Sequence, residues 1–154
     1  MRQSALESER PEIREPNRGI EFPSGDKTTK MLIVDDDPQI LRLVQKMLMP
    51  RKVNVLLAPR PSAAIRICEE QKVDLLIADI RLPGGISGLE MTQCARLHHP
   101  ALKCLFISGK SEPRICDPAL DDFVAKPFRN VELLGCVWKV LRGNLPTPRI
   151  DIAR

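Results

Sequence analysis

The chain has 154 residues, room for one domain with its own core and too few for two of ordinary size. Hydrophobic residues at 43% and charged residues at 29% give the balance of a globular protein in water, while aromatics at 3%, with no Tyr and one Trp, leave too few rings for the stacking surface of a single-strand nucleic-acid binder. The formal charge of +4 is spread thin when summed along the chain: residues 1–30 carry six basic and six acidic residues, 31–142 sixteen and thirteen, and 143–154 two and one. No basic face for a phosphate backbone is expected from these sums.

Residues 1–29 hold Pro11, Pro16 and Pro23 among alternating charges and lack either structural periodicity, so they read as a flexible N-terminal extension. They contain no apolar h-region, and no run in the chain is long enough to span a bilayer. A cytoplasmic protein without membrane contact is expected. The five cysteines, Cys68, Cys94, Cys104, Cys116 and Cys136, are odd in number, far apart and without a CxxC pair, and read as buried thiols of a reducing compartment rather than a zinc site.

A domain is expected over residues 30–142. It opens on Met31–Val34, a continuous apolar run suited to a strand buried on both faces. A helix over Pro38–Met49 follows, with Ile40, Leu41, Val44, Met47 and Leu48 inward, Asp37 as its cap and Pro38 in its first turn. Next come a strand over Val53–Leu57, a helix over Ser62–Gln71 with Ala63, Ala64 and Ile67 inward, and a strand over Val73–Ala78. A glycine-rich loop, Pro83–Gly88, leads into a helix over Leu89–Leu97. Leu102–Ile107 and Asp122–Ala125 give two more strands, and Asn130–Leu141 a last helix with Val131, Leu134, Val137, Trp138 and Leu141 inward. Residues 143–154, with Pro146 and Pro148, read as a tail. Strands alternating with helices predict right-handed crossovers and a parallel sheet covered on both faces.

Ligands of an open parallel sheet bind outside the C-terminal ends of its strands. Here those ends carry Asp35, Asp36 and Asp37, then Asp79, then Ser108, then Lys126 before Pro127. Carboxylates crowded together repel unless a divalent cation joins them, and an all-oxygen set suits Mg²⁺. A carboxylate beside such a cation can attack phosphorus to give an aspartyl phosphate, with the ammonium and the hydroxyl left to pair with phosphoryl oxygens.

The strings Leu32-Ile-Val-Asp35-Asp36-Asp37-Pro38, Leu75-Leu-Ile-Ala-Asp79-Ile-Arg-Leu-Pro83, Leu105-Phe-Ile-Ser108-Gly109 and Phe123-Val-Ala-Lys126-Pro127-Phe128 resemble, in order and placement, the receiver domain of two-component response regulators. The likeness runs over about Lys30 to Arg142. It implies a flavodoxin-like, doubly wound sheet of five parallel strands in the order 2-1-3-4-5. By the same resemblance Asp79 is the phosphoacceptor, Asp35 and Asp36 hold Mg²⁺ with Asp36 the direct ligand, and the backbone carbonyl of Arg81 completes the protein's share. Ser108 is the switch hydroxyl, Lys126 the phosphate-pairing cation and Phe123 the aromatic switch, and the peptide before Pro127 is cis in the family. The implied partners are a sensor histidine kinase or histidine phosphotransfer protein upstream and a further protein downstream.

Other polar residues have plainer readings. Asp37 is a helix cap, His98 and His99 end a helix beside Pro100, Cys104 and Cys136 lie on apolar faces, and Gly84, Gly85 and Gly88 form a loop that matches no phosphate-cradle pattern. The sequence departs from the family in three places. The Pro83–Gly88 loop is one residue longer, Arg81 sets a long cation two residues past Asp79, and the span from Ser108 to Lys126 is about one helical turn short and holds Pro113 and Pro118. The fourth helix of the family is therefore expected to be shortened or irregular. A receiver phosphorylated on Asp79 stands first. A degenerate receiver acting as a phosphorylation-independent interaction module is the alternative, and a phosphatase using Asp79 with a second acid two residues later is disfavoured by Arg81. About a dozen residues follow the last helix, too few for a helix-turn-helix, so no DNA-binding domain is expected.

Overall fold

The structure, a computed structural model, describes residue 22 and residues 27–109 and 117–143. Five strands, β1 (Lys30–Val34), β2 (Asn54–Ala58), β3 (Leu75–Asp79), β4 (Lys103–Ser108) and β5 (Asp121–Ala125), form one parallel sheet in the order β2-β1-β3-β4-β5. Four helices connect or follow them: α1 (Pro38–Leu48), with a short 3-10 turn over Met49–Arg51, α2 (Pro61–Glu70), α3 (Gly88–Arg96) and α4 (Asn130–Arg142). The order and the two-sided cover are those expected, and the element ends differ from the sequence reading by only one or two residues.

Alternation along the strands sorts the core into two layers. Met31, Ile33, Leu75, Ile77, Leu105, Ile107 and Val124 face α1 and α4. Leu32, Val34, Leu76, Ala78, Cys104 and Phe106 face α2 and α3, where Ala64, Cys68, Met91 and Ala95 close the second layer. Every residue of β3 is buried, which is why its sequence is an unbroken apolar run up to the terminal Asp79. On α4, Leu133 and Val140 join Leu134, Val137 and Trp138 in the buried arc, while Val131 and Leu141 are only half-buried. The arc is wider than expected because α4 rests on β4, β5 and α1 together.

Some expectations are corrected. Phe22 and Thr29, within the segment expected to be a flexible extension, are both buried, and Phe22 belongs to the core layer beneath α1 and α4. Residues 1–21 and 23–26, like the tail from residue 144, lie outside the described residues. Of the thiols, Cys68 and Cys104 are buried and Cys136 is half-buried, but Cys94 is exposed on the outer side of α3. Cys116 and the rest of residues 110–116 lie outside the described residues, and with them most of the segment where a shortened or irregular fourth helix was expected. Among the described residues no helix stands between β4 and β5. What is described there is the Pro118–Leu120 turn, held by Asp117, whose carboxylate accepts from Ala119 N at 2.9 Å and whose carbonyl accepts from Leu120 N and Asp121 N.

One buried ion pair ties α3 to β5. Asp121, its side chain fully shielded, accepts from both terminal nitrogens of Arg96 and from Asp117 N at 3.0 Å. Arg96 also donates to Leu102 O from Nε at 3.0 Å and from Nη2 at 2.8 Å, so the guanidinium is fully engaged where α3, β4 and β5 meet. Among the described residues no helix is long and apolar enough to cross a membrane.

Candidate functional site

Two neighbouring strands, β1 and β3, deliver acids to one rim. β1 ends at Val34, and the chain turns through Asp35, buried, and Asp36, exposed, before α1 begins. Asp35 Oδ1 accepts from Asp37 N at 2.8 Å, which points the rest of the Asp35 carboxylate across the sheet. Asp37 itself caps α1, its Oδ1 accepting from Gln39 N at 2.8 Å, and is not part of the cluster. β3 ends on Asp79, buried, whose Oδ1 accepts from Arg81 N at 2.8 Å.

Lys126 follows β5, where Lys126 N donates to Ser108 O at 2.7 Å and the Lys126–Pro127 peptide is cis, as the family resemblance implied. Its ammonium reaches back across the sheet, 2.6 Å from Asp79 Oδ2 and 3.3 Å from Asp35 Oδ2. Ser108 ends β4 between them, buried and in register with Ala125. Asp35, Asp36, Asp79, Ser108 and Lys126 are thus brought together at the strand ends. Phe123 is not at that rim: it lies within β5 opposite Phe106, half-buried.

The electrostatics of the rim invite a cation. Asp35, Asp36 and Asp79 each offer one oxygen within 4.8 Å of the others. Against three carboxylates the rim sets one ammonium, leaving two negative charges over, so the donor set fits a hard divalent ion of the Mg²⁺ kind. Burial pushes the Asp35 carboxyl above its ordinary value and the nearby Asp79 charge adds to the rise, only partly offset by the Asp37 N–H and the Lys126 ammonium. Burial also opposes the charge on Lys126, but its hydrogen bond to Asp79 and the charges of Asp35 and Asp79 outweigh it, and the net shift is upward. Lys126 is therefore a fixed cation at any physiological pH.

The loop after Asp79 owes its path to glycine. Gly84 and Gly85 adopt φ of +100° and +93°, and Gly88 passes so close beneath β3 that a Cβ there would lie 2.1 Å from Asp79 O. Ser87 then caps α3 through a reciprocal pair with Glu90, 3.2 Å to the Glu90 N–H and 2.7 Å from Ser87 N to the Glu90 carboxylate. Arg81 is exposed at the mouth of this loop. Sequence reasoning treated Gly88 as a loop former only; its contact with the acceptor strand needs the fold, since the glycine is nine positions from Asp79.

Comparison with known proteins identifies the class. Residues 31–137 match the family model of the response regulator receiver domain, and the chain belongs to that family. It is 30% identical over 114 residues to the heme response regulator HssR of Staphylococcus aureus strain MRSA252, an alignment covering 72% of this chain and 50% of that protein. The chain thus spans about half the length of the curated relatives it matches. Among solved structures it resembles the CheY-like receiver domain protein of Methanospirillum hungatei JF-1, with TM-score 0.68, 25% identity, and 75% of this chain and 95% of that one covered. It also resembles the receiver domain of the hybrid histidine kinase CckA, with TM-score 0.63, 29% identity, and coverage of 73% and 98%. Receiver domains are signalling domains of two-component phosphorelays, and they take their phosphoryl group from histidine kinases or phosphotransfer proteins.

Proposed function

We propose that this receiver takes a phosphoryl group onto Asp79 from a phosphohistidine and signals through protein contacts. The single observation that carries the reading is the position of Asp79, at a buried strand end with the Lys126 ammonium 2.6 Å away and two further carboxylates within 4.8 Å. Asp36, Asp35 and Asp79, with the Arg81 backbone carbonyl, would hold Mg²⁺. When bound, the ion neutralises the phosphoryl oxygens.

The chain's own residues account for the rest of the chemistry. A carboxylate oxygen of Asp79 forms the new P–O bond as the donor's P–N bond breaks, and the imidazole leaves with the electron pair and takes a proton from solvent. The Arg81 N–H, 2.8 Å from Asp79 Oδ1, holds the carboxylate plane while this occurs. Lys126 is released from its share of Asp79 and pairs with a phosphoryl oxygen. Ser108 supplies a hydroxyl to another, drawing the loop after β4 inward and biasing a two-state surface that a partner reads. Phe123, in β5 behind that loop, is the aromatic that follows it. The cysteines, far apart and without a CxxC pair, support a reducing, cytoplasmic setting.

Intact-mass spectrometry after incubation with Mg²⁺ and acetyl phosphate tests the reading. One phosphoryl mass is expected on the wild type and none on Asp79→Asn. A wild type that never gains the mass would instead identify a phosphorylation-independent interaction module.

A further inference from the structure

The carboxyl ends of the strands hold the site described above, and the opposite edge of the sheet holds a cavity of about 490 Å³. It is framed by the segment leading into β1, the α2–β3 turn, the α3–β4 turn and the end of α4. Asp74, which lines it, and Asp79 bracket β3, so at about 3.3 Å per residue the two places lie about 16 Å apart along the strand. None of Asp35, Asp36, Asp79, Ser108 or Lys126 lines the cavity.

Three lysines line this space, Lys27, Lys72 and Lys103, against one carboxylate, Asp74. Among the described residues none of the three has an ion-pair partner, whereas Arg66 meets Glu70 at 3.2 Å and Lys139 meets Asp122 at 3.0 Å. Lys103, half-buried, donates from Nζ to Leu141 O at 2.5 Å, a carbonyl that takes a proton but leaves the charge standing. Asp74 is already engaged, its Oδ2 accepting from Lys30 N at 2.8 Å. Three like charges around one acid repel, and an anion relieves that repulsion. The walls are fixed by the fold. Asp74 N donates to Lys30 O at 2.9 Å, His99 Nε2 donates to Cys68 O at 2.6 Å and so ties the α3–β4 turn to α2, and His98 lies 3.4 Å from the Glu69 carboxylate. The rest of the lining is largely apolar, with Val73 and Leu102 buried and Pro100 and Leu141 beside them.

We propose that this cavity binds a small organic phosphate, the lysines taking the phosphate oxygens while the body of the molecule lies against Val73, Pro100, Leu102 and Leu141. A lysine ammonium is a point donor suited to a terminal phosphate. The volume is that of a small-molecule site, far larger than a lone inorganic anion fills, and apolar lining with a few charged groups is the usual make-up of such a site. A metal cation would meet three like charges there. A nucleic-acid backbone needs a tract of cations along a surface, and these are gathered in one recess. Binding uses no part of the phosphoacceptor rim, so it stands or falls apart from the role of Asp79.

The test is amide NMR of the full chain without Mg²⁺, titrated to about 10 mM with adenosine monophosphate, phenyl phosphate, inorganic phosphate and adenosine. At least one of the two organic phosphates is expected to shift amides of residues 27–30, 72–74 and 98–103 saturably, with inorganic phosphate and adenosine each binding about tenfold more weakly. Lys72→Gln is expected to lose about tenfold in affinity and Lys27→Gln/Lys72→Gln more. Arg42→Gln, which removes the same charge from the exposed face of α1, and Asp79→Asn should bind as wild type. Lys27 and Lys72 are exposed, so their variants should keep the wild-type thermal midpoint within about a degree. No saturable shift at those residues with either organic phosphate, shifts confined to residues 35–37, 79–81 and 126–128, equal binding of inorganic phosphate or adenosine, or Lys72→Gln binding as wild type would each overturn the proposal.

Discussion

Replacing Gly88 by Ala sets two effects of opposite sign against each other. Gly88 opens α3, and Gly→Ala at a helical position without other contacts stabilises by up to about 1 kcal/mol. At Gly88, however, the new Cβ would lie 2.1 Å from Asp79 O, 3.0 Å from Asp79 C and 3.1 Å from Ile80 Cα, all backbone atoms. A carbon against a carbonyl oxygen settles at about 3.3 Å or more, so the acceptor strand and the start of α3 must part by about 1 Å. That movement also strains the Gly88 N to Ile80 O hydrogen bond of 2.8 Å. No flexible side chain is available to yield, and the cost falls at the upper end of overpacking, about 3 kcal/mol. The clash wins, for a net loss of about 2 kcal/mol in urea unfolding, with an unchanged m-value. Gly135→Ala is the control: it lies within α4 with nothing within 4 Å of its Cβ, and it should gain about 0.5–1 kcal/mol. Because Asp79 O moves, Gly88→Ala should also slow phosphorylation of Asp79 by acetyl phosphate. A Gly88→Ala protein as stable as the Gly135→Ala one would refute the close approach and the reasoning with it.

Asp35→Asn should raise the thermal midpoint of the metal-free protein at pH 7. The Asp35 carboxyl is raised above its ordinary 3.8, so its contribution to stability is full below that value and is lost as pH rises through the raised one. The gain from Asn should vanish below about pH 4, and the variant should show a smaller rise in midpoint on adding Mg²⁺; a midpoint unchanged at pH 7 would contradict the burial cost. Arg96→Met strands the Asp121 carboxylate, whose side chain has no exposure, and should cost about 3–5 kcal/mol in urea unfolding. A loss under about 1 kcal/mol would show that the pair is not shielded from water. Phe22→Ala should cost about 3 kcal/mol by the same assay, since Phe22 is 4% exposed in the core; no change would show that it does not pack there.

The site was legible in the sequence because a parallel strand buried on both faces is an unbroken apolar run, and the first polar residue after it falls at the rim. Asp35, Asp79 and Ser108 were found by that rule, Lys126 by its place before Pro127 at the end of the half-buried β5, and Asp37 was separated from them by its place before Pro38. What the sequence hid are contacts between distant polar or isolated residues. Phe22 stands alone in a charged segment with no periodicity to betray its burial. Nothing in the sequence joins Arg96 to Asp121, 25 positions apart, and only the fold closes them into a pair. Phe123 remains at a place its sequence motif gave, yet away from the carboxylates, as β5 alternation requires.

The measurement that bears most directly on the account is the location of the phosphoryl group. Borohydride reduction of the acetyl phosphate-treated protein converts an acyl phosphate to an alcohol, and peptide mapping then reads the residue. The account predicts homoserine at position 79, dependent on Mg²⁺ and diminished in Asp36→Asn. Reduction at any other carboxylate, or at none while the fold is intact, would contradict it.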